Sequence, residues 1–456
     1  MYGRIKRIHF VGIGGIGMSG IAEVLLNLGY TVSGSDLRAS RTTERLASLG
    51  ARIHIGHDPS NIAGAEVVVT SSAVKADNPE VTAARAAGLP VIPRAEMLAE
   101  LMRLKYGIAV AGSHGKTTTT TMVAAVLAEG GFDPTVVVGG RVQGLGTNAK
   151  VGKGEFMVAE ADESDGSFLM LSPSIAVLTN IDAEHLDHYG DIEALKDAFV
   201  GFLNKVPFYG LCVVCADCEH ASSVVPRLAK RHVTYGFAPR AELRAVELES
   251  CGEKTAFTVL RDGAPLGRAT VNQPGAHNVQ NALAAIAVGM ELGIGFDCAR
   301  RALERFEGIE RRLELKGRPR GVAVVDDYGH HPEEIRATVE AVRQWLAPRR
   351  LVVVFQPHRY SRTKRLFDDF VRVLSKADRL YILDVYAAGE PPVEGVSAER
   401  LRNEMEAKGY TEARYVPRGE DVAGMVAAEV REGDVVLTLG AGDVWRVAEK
   451  VVEALS

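Results

Sequence analysis

Three successive sets of apolar segments, each ending in glycine or polar residues before a helical run, predict an α/β protein built of three open units. The first set runs into Gly12-Ile13-Gly14-Gly15-Ile16-Gly17, and the second into Gly112-Ser113-His114-Gly115-Lys116-Thr117-Thr118. The third gathers histidines and arginines where its strands end. Strand, glycine turn and helix in that order suit phosphate, because uncrowded backbone N–H groups at a helix start converge on the anion. The expected architecture is a Rossmann-like unit over 1–97, a P-loop ATPase-like unit over 98–314 and a second Rossmann-like unit over 315–456. A chain of 456 residues is long enough for each to bury its own core.

Composition narrows the class. A hydrophobic share of 46% with 24% charged residues is that of a globular enzyme or binding protein. The formal net charge of −5 argues against life on nucleic acid or anionic membrane, while leaving room for small anions held by a local positive field. No apolar stretch reaches the roughly 18 residues of a membrane span, and the opening residues lack the apolar core and cleavage site of a secretory signal. A cytoplasmic protein without membrane insertion is expected. Cys212, Cys215 and Cys218 are spaced as metal ligands would be, but Leu211-Cys212-Val213-Val214-Cys215-Ala216 reads as a buried strand whose thiols act as small hydrophobes.

In the first unit a strand over Arg7–Val11 enters the glycine turn, a helix covers Ile21–Leu28, and a strand from Thr31 ends at Asp36. An acidic residue at that distance from the glycines is where a nucleotide ribose is held, so an NAD enzyme is one reading. The glycines themselves report only a close approach to a diphosphate. A strand over Ala65–Thr70 leading to Ser71, then Val91-Ile92-Pro93, completes the unit.

The second unit changes the balance, because an ordinary dehydrogenase has no use for a Lys116–Thr117 turn. Lysine there reaches outer phosphates and the hydroxyl that follows holds Mg²⁺. The usual G-x-x-x-x-G-K-[ST] begins one glycine earlier; here Val110 stands in that place and Gly112 follows, which shortens the loop. One nucleotide is then substrate and the other fuel. Strands ending in Glu160-Ala161-Asp162-Glu163-Ser164-Asp165 and in Asn180-Ile181-Asp182-Ala183-Glu184-His185 should bring acids and an imidazole to the triphosphate, since open α/β sheets bind ligands at strand carboxyl ends. From Val233 to Val271 short β segments suggest an antiparallel patch. His277-Asn278-Val279-Gln280-Asn281 opens an Ala-rich helix, where asparagines are ordinary caps as often as ligands. Arg311-Arg312 could serve phosphate or coat a linker.

In the third unit strands end in Asp326-Asp327-Tyr328-Gly329-His330-His331 and in Gln356-Pro357-His358-Arg359. Clustered histidine and arginine at neighbouring strand tips favour an anion or carboxylate site. Arg359 offers a planar fork for a carboxylate, and a histidine of unperturbed pKa near 6.5 can orient an amine or take its proton.

These motifs together, over essentially the whole chain, resemble those of the Mur ligases, whose phosphate turn has the same shortened form. The resemblance implies an ATP-dependent ligase that joins L-alanine to the lactyl carboxylate of UDP-N-acetylmuramate through an acyl phosphate, in peptidoglycan precursor synthesis, and so in cell-wall building, cell shape and division. It implies that Gly12, Gly14, Gly15, Gly17, Asp36 and Ser71 hold the UDP-sugar. Gly112, Ser113, His114, Gly115, Lys116, Thr117 and Thr118 would hold ATP, with His277, Asn278 and Asn281 near adenine, Arg312 near the phosphates and Asp327 near the nucleotide. ATP would lie between the second and third units. Thr117, Glu160 and His185 would bind Mg²⁺. Tyr328, His330, His358 and Arg359 would take the amino acid, with Lys116, Glu160, His185, His330 and Arg359 as the catalytic set. Two other readings stand beside this one: a relative that adds a preformed peptide to the same UDP-sugar, and an NAD-dependent oxidoreductase. The glycine turn favours the alanine enzyme over the first, and the lysine turn counts against the second.

Overall fold

A computed structural model describes residues 5–71, 73–139 and 149–456. Its first sheet has five parallel strands, with Arg52–Ile55 at one edge, then Thr31–Asp36, Arg7–Val11, Val67–Thr70 and Val91–Pro93. Strand order reverses beside Arg7–Val11, so the glycine turn that follows it opens at the switch point where such sheets bind ligands. Ile8 and Phe10 face one side, packed with Met18, Ile21, Leu25, Met97 and Leu101; Val11 and Val68 face the other with Ile62, Val81 and Ala84. The helix after the turn spans Ile16–Asn27 and so begins at Ile16 rather than Ile21. Gly17 therefore lies inside the first helical turn, where its missing Cβ leaves room for a neighbour.

The second sheet has ten strands, in the order Ala264–Val271, Lys254–Arg261, Leu243–Cys251, His232–Gly236, Leu211–Cys215, Ile175–Leu178, Tyr106–Ala111, Phe156–Glu160, Thr135–Val137 and Ala149–Lys150. The stretch expected to be an antiparallel patch from Val233 onward instead starts in parallel: His232–Gly236 pairs that way with Leu211–Cys215, and Leu243 follows suit. The last two strands fold back through turns at Gly252 (φ 66°) and Gly263 (φ 81°), where glycine adopts a left-handed backbone without penalty. Residues of the first two sheets share one hydrophobic core.

The third sheet runs Glu314–Gly317, Ala323–Asp327, Val435–Leu439, Leu351–Phe355, Arg379–Leu383, Ala413–Val416, parallel except for its first strand. Its central strands are buried throughout, as expected for strands covered on both faces. The chain forms two compact units, Met1–Glu247 with Phe257–Val271 and Val279–Glu307, and Gly308–Ser456 with Leu248–Ala256 and Asn272–Asn278. Among the described residues no helix is long and apolar enough to cross a membrane.

Cys212 and Cys215 are buried in the strand Leu211–Cys215, and burial pushes both thiols up to about 12. Cys251 is exposed. In native protein an aromatic disulfide reagent should therefore label Cys251 quickly and leave Cys212 and Cys215 unreacted until denaturant is added, which mass spectrometry of the labelled peptides would show.

Candidate active site

The strand Tyr106–Ala111 delivers the phosphate turn. Gly112 (φ 129°) and Gly115 (φ 77°) carry the left-handed geometry, and the helix Lys116–Glu129 starts directly after. A Cβ on Gly112 would run into the Thr179 hydroxyl. That hydroxyl instead donates to the His114 carbonyl at 2.6 Å, while Asn180 accepts from His114 N at 2.8 Å. Thr179 and Asn180 come from the end of the neighbouring strand, so the turn's shape is set by its partner as well as by its own glycines. His114 Nε2 lies 2.9 Å from Asp182.

Lys116 folds back over this turn, donating to the Gly112 carbonyl at 2.7 Å and to Glu163 at 2.8 Å. Burial alone would lower its pKa, but Glu163, Asp162 and Glu160 together raise it, so the ammonium stays charged. Burial, helped by Asp162 and opposed by Lys116, pushes Glu163 up to about 7. Thr117 donates to Glu160 at 2.8 Å, and the same carboxylate oxygen accepts from Gly139 N at 2.9 Å. Glu163, Glu184 and His185 bring potential ligand atoms within 4.8 Å of one another. His185 itself sits in the left-handed region (φ 55°) at the head of the short helix Leu186–Tyr189. Asn281, buried, accepts from Thr119 at 3.0 Å and lies against Gly115, so the structure puts it beside the phosphate-turn helix.

The first glycine turn is hung on the end of its neighbouring strand. Gly12 N and Ile13 N both donate to the Ser35 carbonyl, at 2.8 and 2.9 Å, and Gly14 N donates to Asp36 at 2.9 Å. Asp36, expected at a ribose, thus also clamps the turn. Gly15 caps the helix. Ser71 is half-buried at the end of its strand, its carbonyl accepting from Val74 N at 3.0 Å. Arg94 was not among the expected residues, yet a Cβ on Gly17 would collide with its guanidinium, which also pairs with Asp162 at 3.4 Å. Its signal in the sequence was a lone arginine at a helix start, which has no distinctive pattern.

In the second unit Asp327 is buried and fully engaged, accepting from Leu313 N and Gly329 N, each at 2.8 Å, and from Thr338 at 3.1 Å. Arg311 binds Asp326 at 3.0 Å and the Gly440 and Gly442 carbonyls, while Arg312 lies 3.6 Å from Glu334. Both guanidinium carbons stand 5.1 Å from the centre of the Tyr328 ring. The adjacent arginines, equivalent in sequence, therefore divide: Arg311 braces strand ends, while Arg312 turns to Glu334.

The Tyr328, His330 and His358 rings follow one another at 5.4 and 5.6 Å, and Tyr386 stacks on His358 at 5.5 Å with a 9° interplanar angle. Arg359 adopts φ 70°, donates its N–H to the Tyr386 carbonyl, and holds a half-exposed guanidinium 3.9 Å from Glu390. Tyr386 and Glu390 escape sequence reasoning because they follow a different strand. His277 is kept neutral, lowered to about 4 by burial and by Arg312 and Arg336. Asn278 donates to the Pro274 carbonyl at 2.8 Å, within its own helix start.

Two phosphate turns, each with acids at an adjoining strand end, together with a histidine–arginine group, define a nucleotide-dependent enzyme. Residues 7–106 match the family described as Mur ligase family, catalytic domain; residues 110–289 match the Mur ligase middle domain; and residues 311–442 match Mur ligase, glutamate ligase domain. The chain belongs to the Mur ligase family. It is 58% identical over 452 residues to a UDP-N-acetylmuramate–L-alanine ligase of Geobacter sp. (strain M21), covering 99% of this chain and 98% of that one. The crystal structure of a UDP-N-acetylmuramate-alanine ligase from Thermotoga maritima is 31% identical and matches with a TM-score of 0.82 over 98% of each chain. A murein peptide ligase from Psychrobacter arcticus is 25% identical, with a TM-score of 0.72 over 99% of this chain and 98% of that one.

Burial and the neighbouring His330, Arg362 and Arg359 lower His358 to about 3. Unfolded histidine titrates near 6.5. Below that value the unfolded chain binds protons that folded His358 and His277 refuse, so stability should fall as the pH drops from about 6.5 towards 4. Both tryptophans, Trp345 and Trp445, lie in the second unit, so urea melts followed by their fluorescence report on it. The midpoint should fall between pH 7.5 and 5, and His358→Gln should lessen that fall.

Proposed function

We propose that this chain catalyses the ATP-dependent joining of L-alanine to the lactyl carboxylate of UDP-N-acetylmuramate. The observation that carries the reading is the pair of phosphate turns in one unit, one closed by Lys116 and Thr117 and the other clamped by Asp36. A carboxylate is a poor acylating agent until one oxygen becomes a phosphate leaving group. Transfer of the γ-phosphoryl group of ATP to the lactyl carboxylate gives an acyl phosphate; the neutral amine of L-alanine attacks its carbonyl carbon, and inorganic phosphate leaves. Catalysis of this kind consists mainly of positioning and charge neutralisation.

Residues 1–97 take the UDP-sugar, with Gly12, Gly14, Gly15 and Gly17 at the diphosphate and Asp36 and Ser71 beside them. Residues 98–314 take ATP on the 112–118 turn, where Lys116 supplies its charge to the outer phosphates, with Asn281 close by; His277, Asn278, Arg312 and Asp327 complete the nucleotide set. The residues present fit Mg²⁺, because Thr117 and Glu160 already bring hard oxygens to 2.8 Å and His185 stands with two carboxylates. Thr117 and Glu160 would hold one ion and His185 a second, and when bound they would offset phosphate charge. Residues 315–456 take the amino acid: Arg359 receives the carboxylate, Tyr328 lines the site, and His330 or His358 orients the amine or takes its proton as the amide forms. ATP and the soluble precursors it acts on place the reaction in the cytoplasm.

Purified protein mixed with UDP-N-acetylmuramate, ATP, Mg²⁺ and one amino acid at a time should release phosphate with L-alanine far above the rest. Release with a preformed peptide instead would favour the recycling reading, and saturable NADH binding would favour the oxidoreductase. Lys116→Ala should lower kcat about 100- to 1,000-fold, the loss seen when one donor to developing charge is removed. Affinity for the UDP-sugar by calorimetry should hold within about twofold, since the bonds Lys116 makes go to its own turn and to Glu163 and not to the first glycine turn. Arg359→Ala should raise the KM for L-alanine about 30-fold or more by leaving a carboxylate unpaired, with the KM for ATP little changed and only partial rescue by lysine.

A further inference from the structure

The first sheet contains a buried polar network that the mechanism above does not use. On the face covered by the helix Pro79–Ala86 and the turn Pro59–Ile62, the apolar packing is limited to Val11, Ile62, Val68, Val81 and Ala84 with a few half-buried neighbours. Beside it lies Glu80, wholly buried. Its carboxylate accepts from Ser35 Oγ and from Asn61 Nδ2, each at 2.5 Å, and faces His57 Nδ1 at 3.3 Å and buried His9 Nε2 at 3.6 Å. His9 in turn meets Ser33 at 2.9 Å, and His57 meets Ser35 at 3.0 Å. Despite its burial, the neighbouring His9 and the bonds from Ser35 and Asn61 hold Glu80 down to about 2, so it is ionised at any pH where the protein works. It occupies the first turn of a helix capped by Asn78, where the helix dipole also favours negative charge.

A buried ion is an expensive way to fill a sheet face that apolar side chains would fill as well. What this ion grips is the end of the strand Thr31–Asp36. Ser35 contributes its side chain to Glu80 and its carbonyl to both Gly12 N and Ile13 N, and the next residue, Asp36, takes Gly14 N. One residue thus joins the network to the glycine turn, with no room for slack between them. We propose that Glu80 is a positioning residue for the UDP-sugar: through Ser35 it fixes the carbonyl and carboxylate on which the Gly12–Gly15 turn is hung, and so where that turn and the helix start behind it stand against the diphosphate. The proposal rests on the reading that this turn holds the UDP diphosphate.

The test compares Glu80→Gln, Ser35→Ala and the double variant by calorimetric titration with UDP-N-acetylmuramate and by steady-state kinetics. Glu80→Gln should raise the Kd and KM for the UDP-sugar about tenfold, as expected when binding geometry common to ground and transition states is lost. The kcat and the KM for ATP and L-alanine should stay within about twofold. Because the two residues act along one chain of contacts, the double variant should be no weaker than the worse single, not the product of both. Asp434→Asn, which removes another buried carboxylate, one held by Arg350 at 2.6 Å, should destabilise the fold without moving the KM for the UDP-sugar. Should Glu80→Gln not fold, Ser35→Ala carries the test by itself. Even loss across kcat and every KM, or strictly multiplicative single effects, overturns the proposal. Gly14→Leu separates the two levels, since a Cβ there would meet Asp36 Oδ2 at 2.8 Å. If Gly14→Leu binds the UDP-sugar normally, the turn is not its site and both readings fall. If Gly14→Leu loses binding while Glu80→Gln and Ser35→Ala keep it, only the proposal about Glu80 falls.

Discussion

The carboxyl edge of the second sheet depends on keeping one largely buried ammonium charged. Lys116 stands at the start of a helix, so its charge adds to the positive field of the helix N-terminus. Without compensation burial would neutralise it. Glu163, Asp162 and Glu160, on the end of the strand Phe156–Glu160 and the residues after it, supply the opposing charge. The bond to Glu163 at 2.8 Å holds the lysine in its charged form. The parallel pairing of Tyr106–Ala111 with Phe156–Glu160, which sets Val110 opposite Glu160, is what brings acid and turn to the same edge.

The same economy recurs at all three sheets. Asp36, Glu160 and Asp327 each lie at a strand end, and each accepts from backbone N–H groups of the adjoining loop. A carboxylate that receives such bonds stiffens a loop that has no ladder of its own. Glu160 shows both tasks at once, bracing Gly139 while meeting Thr117. Asp327 braces with three donors, Leu313 N, Gly329 N and Thr338 Oγ1, all from its own unit.

The second unit takes the opposite electrostatic course. Burial and cationic neighbours keep His277 and His358 neutral, while Arg359 stays half exposed. The division leaves one permanent cation beside neutral imidazoles. Tyr386, stacked on His358 and bonded through its backbone to Pro357 and Arg359, holds ring and arginine together from a separate strand.

Much of this was legible in the residues. Alternation of apolar strands with glycine turns predicted three sheets, and the rule that ligands meet strand ends picked out Lys116, Glu160, His185 and the histidine–arginine group. Local chemistry is enough there, since a glycine turn or a strand tip is specified by neighbours in sequence. It was not enough wherever a role is assigned by residues far along the chain. Which of Arg311 and Arg312 braces the strands, that Arg94 fills the space left by Gly17, and that His232–Gly236 pairs in parallel were all settled by tertiary packing. So was the grouping of His9, Ser35, His57, Asn61 and Glu80. In sequence these are five ordinary polar residues on separate elements; packing on one sheet face brings Ser35, Asn61 and His57 into bonds with the buried Glu80 and sets His9 beside it.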